Sequence, residues 1–442
     1  MNLFWKKLFG GLASTPKFEE QCAEMEASFL RYVKVQQSDE LKEYEELFKK
    51  VKSPEFRDNK KMLTTRKYKD TQEYRDMTKY EKLHKSADVV EYYKVLGSKE
   101  LDEFRKFEKS GDYAKLANAD EVKKSELLSR MKSYERSKEY KLYRRLNGSY
   151  VIKEYEELKE KVNTEEFKKS NAFWSDPNRW SKTKEAAVEE RFNALAKSDD
   201  IVFYLKENKG RFAEIEKFER VYRDDFNSGS LDKKAWAFGF YHKSEELKRL
   251  YSFTNEQQAN AGGANVTVAG GCMHIATSQR KMETTAWDAK KGFVKKEFDY
   301  TADVVNLAGV ANRRGGMFRA KMKCDGAKEV SHAFCLYGEK NTPRVNIFKC
   351  EDGRIELGIY TKSGYRCEKI KGISPEDFYV YTLVWSDREM VWYINNLEVM
   401  RVADGVPAED MYPLFNSYIA EGKTPGEGGM DIDLVDIFAR KG

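Results

Sequence analysis

The chain has 442 residues, with 80 basic and 74 acidic side chains and a formal net charge of +6 at pH 7. The two signs are finely interleaved, which is typical of a solvated mixed surface and excludes the basic stripe of a nucleic-acid-binding protein. A chain of this length exceeds one hydrophobic core, so we expect more than one domain. The sequence contains no apolar run of about 18 residues, and we therefore expect no membrane-spanning helix.

The first segment, MNLFWKKLFGGLAS, has neither a long apolar region nor a lipid-attachment cysteine close behind it, so we expect no cleaved signal peptide. Its large apolar side chains, in residues 3–12, allow two interpretations. We favour a packed or frayed terminus. The alternative is a short amphipathic helix that contacts a membrane surface or a partner.

The six cysteines include no CxxC pair, and the four histidines are scattered. This pattern favours reduced thiols over a disulfide framework and offers no zinc site. We therefore predict a cytoplasmic protein with no metal and no cofactor.

The composition of the chain changes near residue 226. Only 6 of the 28 glycines lie in residues 1–226. Abundant Lys, Glu, Leu and Tyr before that point indicate helix, whereas glycines, β-branched residues and alternation after it indicate sheet. We predict a multidomain α plus all-β chain. Its parts are an amphipathic N-terminal segment at residues 1–16, a tandem α-helical repeat region at residues 17–226 and a β-jelly-roll domain at residues 227–442.

One pattern, in which two aromatic residues flank an apolar residue and a serine, occurs four times in the helical region. The copies are Tyr32-Val35-Ser38-Tyr44, Tyr80-Leu83-Ser86-Tyr92, Tyr143-Leu146-Ser149-Tyr155 and Phe192-Leu195-Ser198-Tyr204, and their starts are separated by 48, 63 and 49 residues. Serine before an acidic first turn is typical of a helix N-cap. Pro54, directly after Ser53, suits the first helical position. We predict an array of short capped helices, either a solenoid or an elongated bundle, that self-associates or binds a protein partner.

The second half alternates with the period of a β-strand. In residues 379–385, one face carries Tyr379, Tyr381, Leu383 and Trp385. Asn395-Asn396 is a two-residue hairpin signal between residues 390–394 and 397–402, because Asn tolerates positive φ. Many short strands joined by turns predict an antiparallel β-sandwich.

An ordered set of segments in this half includes DDFNSGSLDKKAW, NVTVAGGCMHIAT, SHAFCLYGEKNTPRVNIFK, FYVYTLVWSDREMVWYINN and MDIDLVDIFARKG. This set resembles glycoside hydrolase family 16, the laminarinase-like enzymes with a concanavalin A-like jelly roll. The segments follow the family's order across nearly all of residues 224–442. The resemblance implies a lectin- or glucanase-type sandwich with its site on a concave face.

The resemblance also implies a catalytic strand with the pattern Glu-x-Asp-x-x-Glu, in which a bulge brings all three carboxylates to one face. These positions fall on Arg344, Asn346 and Lys349, and Cys335 stands where the family has a sugar-stacking Trp. Retaining hydrolysis needs a carboxylate nucleophile and a carboxylic acid, which neither arginine nor lysine supplies. We therefore expect that the chain is not an enzyme and has no catalytic residues.

Three functions stay open for the sandwich. We favour a non-catalytic binding or scaffold protein, in which the basic residues pair with local acids or with a partner protein. The first alternative is a lectin-like protein that binds a glycan in the former cleft. Its candidate ligand-binding residues are Arg344, Asn346, Lys349, Trp385, Trp287, Arg313 and Arg314. The second alternative is an active β-glucan-type hydrolase with non-standard catalytic residues.

Overall fold

The computed structural model describes residues 1–207, 209–243, 251–340 and 342–441. The chain forms two compact units, one of Met1–Lys34 with Lys206–Gly442 and the other of Val35–Leu205. The predicted fold class, capped helices followed by an antiparallel sandwich, is confirmed. Among the helices of the described ranges, none is both long enough and apolar enough to cross a membrane.

The helices occupy most of the chain up to residue 216. They are α1 Phe4–Leu8, α2 Thr15–Gln36, α3 Asp39–Val51, α4 Pro54–Thr65, α5 Gln72–His84, α6 Ala87–Leu96, α7 Lys99–Lys109, α8 Ala119–Lys124, α9 Glu126–Arg136, α10 Lys138–Leu146, α11 Tyr150–Asn163, α12 Glu165–Ser175, α13 Lys184–Leu195, α14 Asp199–Lys206, α15 Ala213–Glu216 and, within the sandwich, α16 Ala308–Ala311.

The predicted N-caps are present at the helix starts. The Ser38 hydroxyl accepts a hydrogen bond from the N–H of Leu41 at 3.2 Å. Ser53 caps α4 in the same way, with Pro54 in the first turn. The same bond forms at Ser86, Ser98, Ser149, Thr164 and Ser198. Each cap satisfies an N–H group that the helix itself leaves without a partner.

The repeat copies pair in a nested order, the second with the third and the first with the fourth. The stacked rings are Tyr92–Tyr143 at 5.7 Å between centroids, Tyr80–Tyr155 at 5.8 Å and Tyr44–Phe192 at 5.4 Å. The helices follow the same order, because α6 packs on α10, α5 on α11 and α3 on α13. The chain thus runs out along one row of helices and returns along a second row in reverse order.

The strands of the sandwich begin at residue 218, before the predicted boundary between residues 226 and 227. They are β1 Phe218–Asp224, β2 Ala237–Phe238, β3 Ser252–Phe253, β4 Gln258–Asn260, β5 Val266–Ala269, β6 Cys272–Asp288, β7 Gly292–Ala302, β8 Val304–Asn306, β9 Gly316–Cys324, β10 Ser331–Tyr337, β11 Arg344–Glu351, β12 Arg354–Thr361, β13 Gly364–Ile370, β14 Tyr379–Trp385, β15 Met390–Ile394, β16 Leu397–Val402, β17 Tyr412–Tyr418 and β18 Gly428–Arg440.

Two sheets face each other across the main core. The larger sheet has the order β16-β15-β14-β9-β18-β6-β7-β4, with β1 on β18 and with β3 and β5 on β6. The smaller sheet has the order β13-β12-β11-β10-β17-β8-β2. The predicted hairpin is present, because Asn395 and Asn396 both have positive φ between β15 and β16. Inside the core, the rings of Phe334 and Phe415 stack at 4.5 Å with an interplanar angle of 2°.

The N-terminal segment belongs to the same unit as the sandwich and packs on it. The Leu3 N–H donates to the Lys371 carbonyl at 2.7 Å. The side chains of Leu3 and Leu12 are buried in the main core. Thr15 donates from its hydroxyl to the Phe378 carbonyl at 2.6 Å.

Candidate functional site on the outer face of the smaller sheet

A bulge in β11 brings the three predicted positions to one face of the smaller sheet. Cys335 lies opposite Asn346 while Phe334 lies opposite Phe348, so Ile347 is the extra residue. Side chains on either side of the bulge therefore share a face although the first position and the last are an odd number of residues apart, 344 and 349. We call the face that carries Arg344, Asn346 and Lys349 the outer face, since Ile347 and Phe348 point into the main core.

Lys349 is held between two carboxylates on the outer face. Its Nζ lies 2.6 Å from Glu351 and 3.3 Å from Glu356, the residue directly opposite it on β12. Burial opposes the ammonium, but Tyr418 and both carboxylates together raise the pKa of Lys349 above its ordinary value. Lys349 is therefore a fixed cation that pairs with two local acids.

Asn346 and Glu356 are linked through one tyrosine. The Asn346 side-chain amide donates to the Tyr365 hydroxyl at 3.1 Å, and that hydroxyl donates to Glu356 at 2.8 Å. Asn346 is buried, and its backbone carbonyl accepts a hydrogen bond from the Trp392 indole at 2.9 Å. The network fixes the orientation of the Glu356 carboxylate next to Lys349.

Arg344 lies between two aromatic rings. Its guanidinium donates to the Tyr337 hydroxyl at 3.1 Å and lies 5.8 Å and 5.5 Å from the ring centroids of Tyr337 and Tyr360. The Tyr337 oxygen raises the pKa of Arg344 above its ordinary value. Its Nε is buried and has no hydrogen-bond partner in the part of the chain that the structure describes. An N–H group in this state can donate a hydrogen bond to an acceptor atom of a ligand.

Glu256 is a carboxyl group that no sequence pattern marks as part of the site. It reaches the site from the segment before β4, where its backbone bridges to Ala420. Burial raises the pKa of Glu256 to about 7, and the hydrogen bond from Gln258 and the charges of Arg344 and Lys296 offset this only in part. No local periodicity marks this segment, so its approach to Arg344 could not be predicted from spacing.

The outer face is covered at one end and open at the other. Over β10 and β17, Phe240 and Tyr251 pack on Cys335 and Leu414 in a separate hydrophobic cluster. Over β12 and β13, the ring of Tyr360 stacks on Tyr365 at 4.9 Å and is 40% exposed. An approaching molecule would therefore meet Arg344 from the Tyr360 side.

The other candidate ligand-binding residues are placed differently. Trp287 packs against the cluster that covers the outer face. Trp385 does not reach that face, because its side chain is fully buried in the main core. Arg313 is bonded through its backbone to Met411, and Arg314 pairs with Asp387 at 2.8 Å in the loop after β14.

Among the described residues, no group of three His, Cys, Asp or Glu side chains could hold a metal ion. The site is instead a set of carboxyl groups, fixed cations and phenol hydroxyls. Such a set can donate to and accept from hydroxyl groups, and it can hold a carboxyl group in its protonated form.

The raised pKa of Glu256 predicts a pH-dependent stability. A carboxyl group whose pKa is raised by folding makes its full contribution to the stability of the folded protein below its unfolded pKa, near 4.5. That contribution is lost as the pH rises through 7. Glu256→Gln is therefore expected to unfold less easily than the wild type at pH 8, by about 2 kcal/mol, and to lose most of this advantage by pH 5. Urea unfolding of both proteins at the two pH values measures this.

A control of opposite sign is Asp288→Asn. The backbone N–H groups of Lys290 and Lys291 hold the Asp288 carboxylate and lower its pKa. This variant should therefore lose stability at neutral pH and match the wild type in acid. An identical pH dependence for Glu256→Gln and the wild type would contradict the assignment to Glu256.

No protein-family model and no curated protein matches the sequence. The structure is similar to a laminarinase catalytic domain from Thermotoga petrophila, at 16% identity over 51% of this chain and 99% of that chain, with a TM-score of 0.40. It is also similar to SCLam, a non-specific endo-β-1,3(4)-glucanase from family GH16, at 20% identity over 51% and 92%, with a TM-score of 0.41. A κ-carrageenase from Pseudoalteromonas carrageenovora matches at 14% identity over 51% and 96%, with a TM-score of 0.41. The resemblance in fold that the sequence predicted is confirmed.

The prediction that the chain is not an enzyme is contradicted. The solved structures that it resembles include endo-glucanases. The outer face carries carboxyl groups, since Glu351 and Glu356 pair with Lys349 and the charge of Arg344 acts on Glu256. The pattern along β11 alone does not determine the chemistry of this face, because the neighbouring strand β12 brings Glu356 to it.

Proposed function

We propose that the open end of the outer face is a glycan-binding surface. The observation that carries the proposal is the arrangement at Arg344, where a buried donor without a partner among the described residues lies beside the exposed ring of Tyr360. Sugars present an apolar C–H face that packs on an aromatic ring and hydroxyl groups that accept from charged donors. The similar structures include a glucanase and a κ-carrageenase, and glycans are therefore the class of molecule to test.

Two contacts define the proposed mode of binding. The exposed part of the Tyr360 ring contacts a sugar, while Arg344 and Tyr365, which lie against the same ring, hold Tyr360 in place. Arg344 donates to a hydroxyl or an acidic group of the same sugar, and Tyr337 fixes the guanidinium from the other side. Because both partners are already ordered by the sheet, little side-chain entropy is lost on binding.

The test measures binding of the full chain to laminarin oligosaccharides and to κ-carrageenan oligosaccharides by calorimetry. We expect saturable binding to one of them. Arg344→Met should weaken it by about tenfold or more, because a hydrogen bond from a charged donor is lost. Tyr360→Ala should weaken it to a similar degree.

A matched control is Tyr150→Ala, since Tyr150 is an exposed tyrosine of α11, remote in sequence from this face. It should bind as the wild type does. Failure of both glycan classes to bind, or equal affinity of Arg344→Met and the wild type, would show the proposal to be wrong. Comparison of the two measurements distinguishes a neutral ligand, laminarin, from a sulfated one, κ-carrageenan.

A second candidate function is hydrolysis of a bound glycan, and it is favoured by the environments of two carboxyl groups. Burial raises the pKa of Glu256 to about 7, as a general acid requires, while Lys349 and Tyr365 hold Glu356 in place. Retaining hydrolysis pairs a carboxylic acid with a carboxylate nucleophile. Release of reducing ends from laminarin should then be lost in both Glu256→Gln and Glu356→Gln. Activity that survives both substitutions would exclude this pair.

Partner binding or self-association through the helical repeats stays a prediction. So does a scaffold role.

A further inference from the structure

The helix α1 turns its large apolar side chains to solvent. Phe4, Trp5, Leu8 and Phe9 are 51%, 59%, 61% and 78% exposed. The rings of Trp5 and Phe9 stack at 5.8 Å with an interplanar angle of 12°. Phe4, Trp5 and Leu8 lie on one side of α1, and Phe9 follows as its C-cap residue. We call these four side chains the apolar face of α1.

Anchors on both sides of α1 prevent this face from turning inward. Leu3 and Leu12 are buried in the main core, and the Leu3 N–H is bonded to Lys371. Lys7 donates to the Tyr379 hydroxyl at 2.9 Å. The sandwich thus holds α1 by its inner side and presents the apolar face outward, where exposure of this kind marks an interaction site.

The charge around the apolar face is positive. Residues 1–18 contain three lysines and no acidic residue. Lys6 and Lys371 are exposed, while the nearby carboxylate of Asp377 is paired with Lys7 at 3.4 Å. Aromatic and leucine side chains flanked by lysines are typical of helices that lie in the interface of an anionic membrane.

We propose that the apolar face of α1 docks on an anionic lipid surface. Phe4, Trp5, Leu8 and Phe9 enter the boundary between headgroups and acyl chains, and Lys6 and Lys371 face the acidic headgroups. A second copy of the chain fits less well, because a symmetric contact through the same face brings the two Lys6 side chains together. The site is separate from the outer face of the smaller sheet.

Co-sedimentation of the full chain with lipid vesicles tests the proposal. We expect binding to vesicles of phosphatidylcholine and phosphatidylserine in equal amounts, and weaker binding to phosphatidylcholine alone. Leu8→Glu should weaken binding to the mixed vesicles by about tenfold or more, because it places a carboxylate among the apolar contacts. Lys6→Glu should abolish the difference between the two kinds of vesicle.

The matched control is Leu30→Glu on α2, since Leu30 and Leu8 are each 61% exposed. It should bind mixed vesicles as the wild type does. An equal loss of vesicle binding in Leu8→Glu and Leu30→Glu would overturn the proposal. Failure of the wild type to bind mixed vesicles would also overturn it. So would a dimer in sedimentation that Leu8→Glu converts to a monomer without any vesicle binding, since the occupant would then be a second copy.

Discussion

Replacing Phe334 with alanine is expected to lower the free energy of unfolding of the sandwich by about 4 kcal/mol, the range found for large aromatic side chains removed from a packed core. Phe334 on β10 lies directly opposite Phe415 on β17, and both rings are fully buried. Their parallel stack fills the middle of the main core, so alanine leaves a cavity and removes the ring contact together. Urea unfolding followed by tryptophan fluorescence measures the change.

Phe9→Ala is the control for this prediction. Phe9 belongs to the same compact unit, but its ring is 78% exposed. Its removal should change the free energy of unfolding by no more than about 0.5 kcal/mol. A similar loss in both variants would mean that the measurement does not report the main core.

Replacing Lys349 with methionine is expected to destabilise the sandwich by about 3 kcal/mol at pH 7. The Lys349 side chain is 12% exposed and that of Glu356 is 13% exposed, so the substitution leaves a buried carboxylate without its cation. Methionine keeps the length of the side chain, which limits the loss of packing. Urea unfolding of single and double variants measures the effect.

The double variant Lys349→Met with Glu356→Gln should recover much of the stability, because the uncompensated charge is removed as well. Lys281→Met serves as the exposed control, since its pairs with Glu297 and Asp299 lie in solvent at 3.7 Å and 3.6 Å. This control should change stability by less than about 1 kcal/mol. An equally destabilised double variant would show that Lys349 acts through packing and not through charge.

Local structure could be predicted from the sequence where a local cause determines it. The strand over residues 379–385, the hairpin at Asn395-Asn396 and the serine caps depend on neighbouring residues, and the structure has them where predicted. The pairing order of the repeat copies depends on contacts between residues far apart in the chain. Four similar copies give no local signal for which one pairs with which.

The site shows the same division between local and distant causes. The shared face of Arg344, Asn346 and Lys349 follows from strand period and one bulge, and the structure brings them together. Glu356 could also have been found, because a two-residue turn at Asp352-Gly353 places it opposite Lys349.

Two parts of the site could not be predicted by such rules. Alternation in β14 does not tell which side is the core, and Trp385 was therefore assigned to the wrong environment. Glu256 comes from a segment without periodicity, and only in the folded chain does the charge of Arg344 act on it.

The nested pairing of the repeat copies has a consequence for how this chain can vary. Residues 35–205 are an insertion in the chain of the unit that contains the sandwich. The backbone leaves that unit near Tyr32 and re-enters it near Phe212. The rings of these two residues lie 5.0 Å apart. Because each copy is matched with one on the return path, an inner pair can be gained or lost without moving the points of departure and return. The array can therefore change length over generations while the sandwich and its outer face stay as they are.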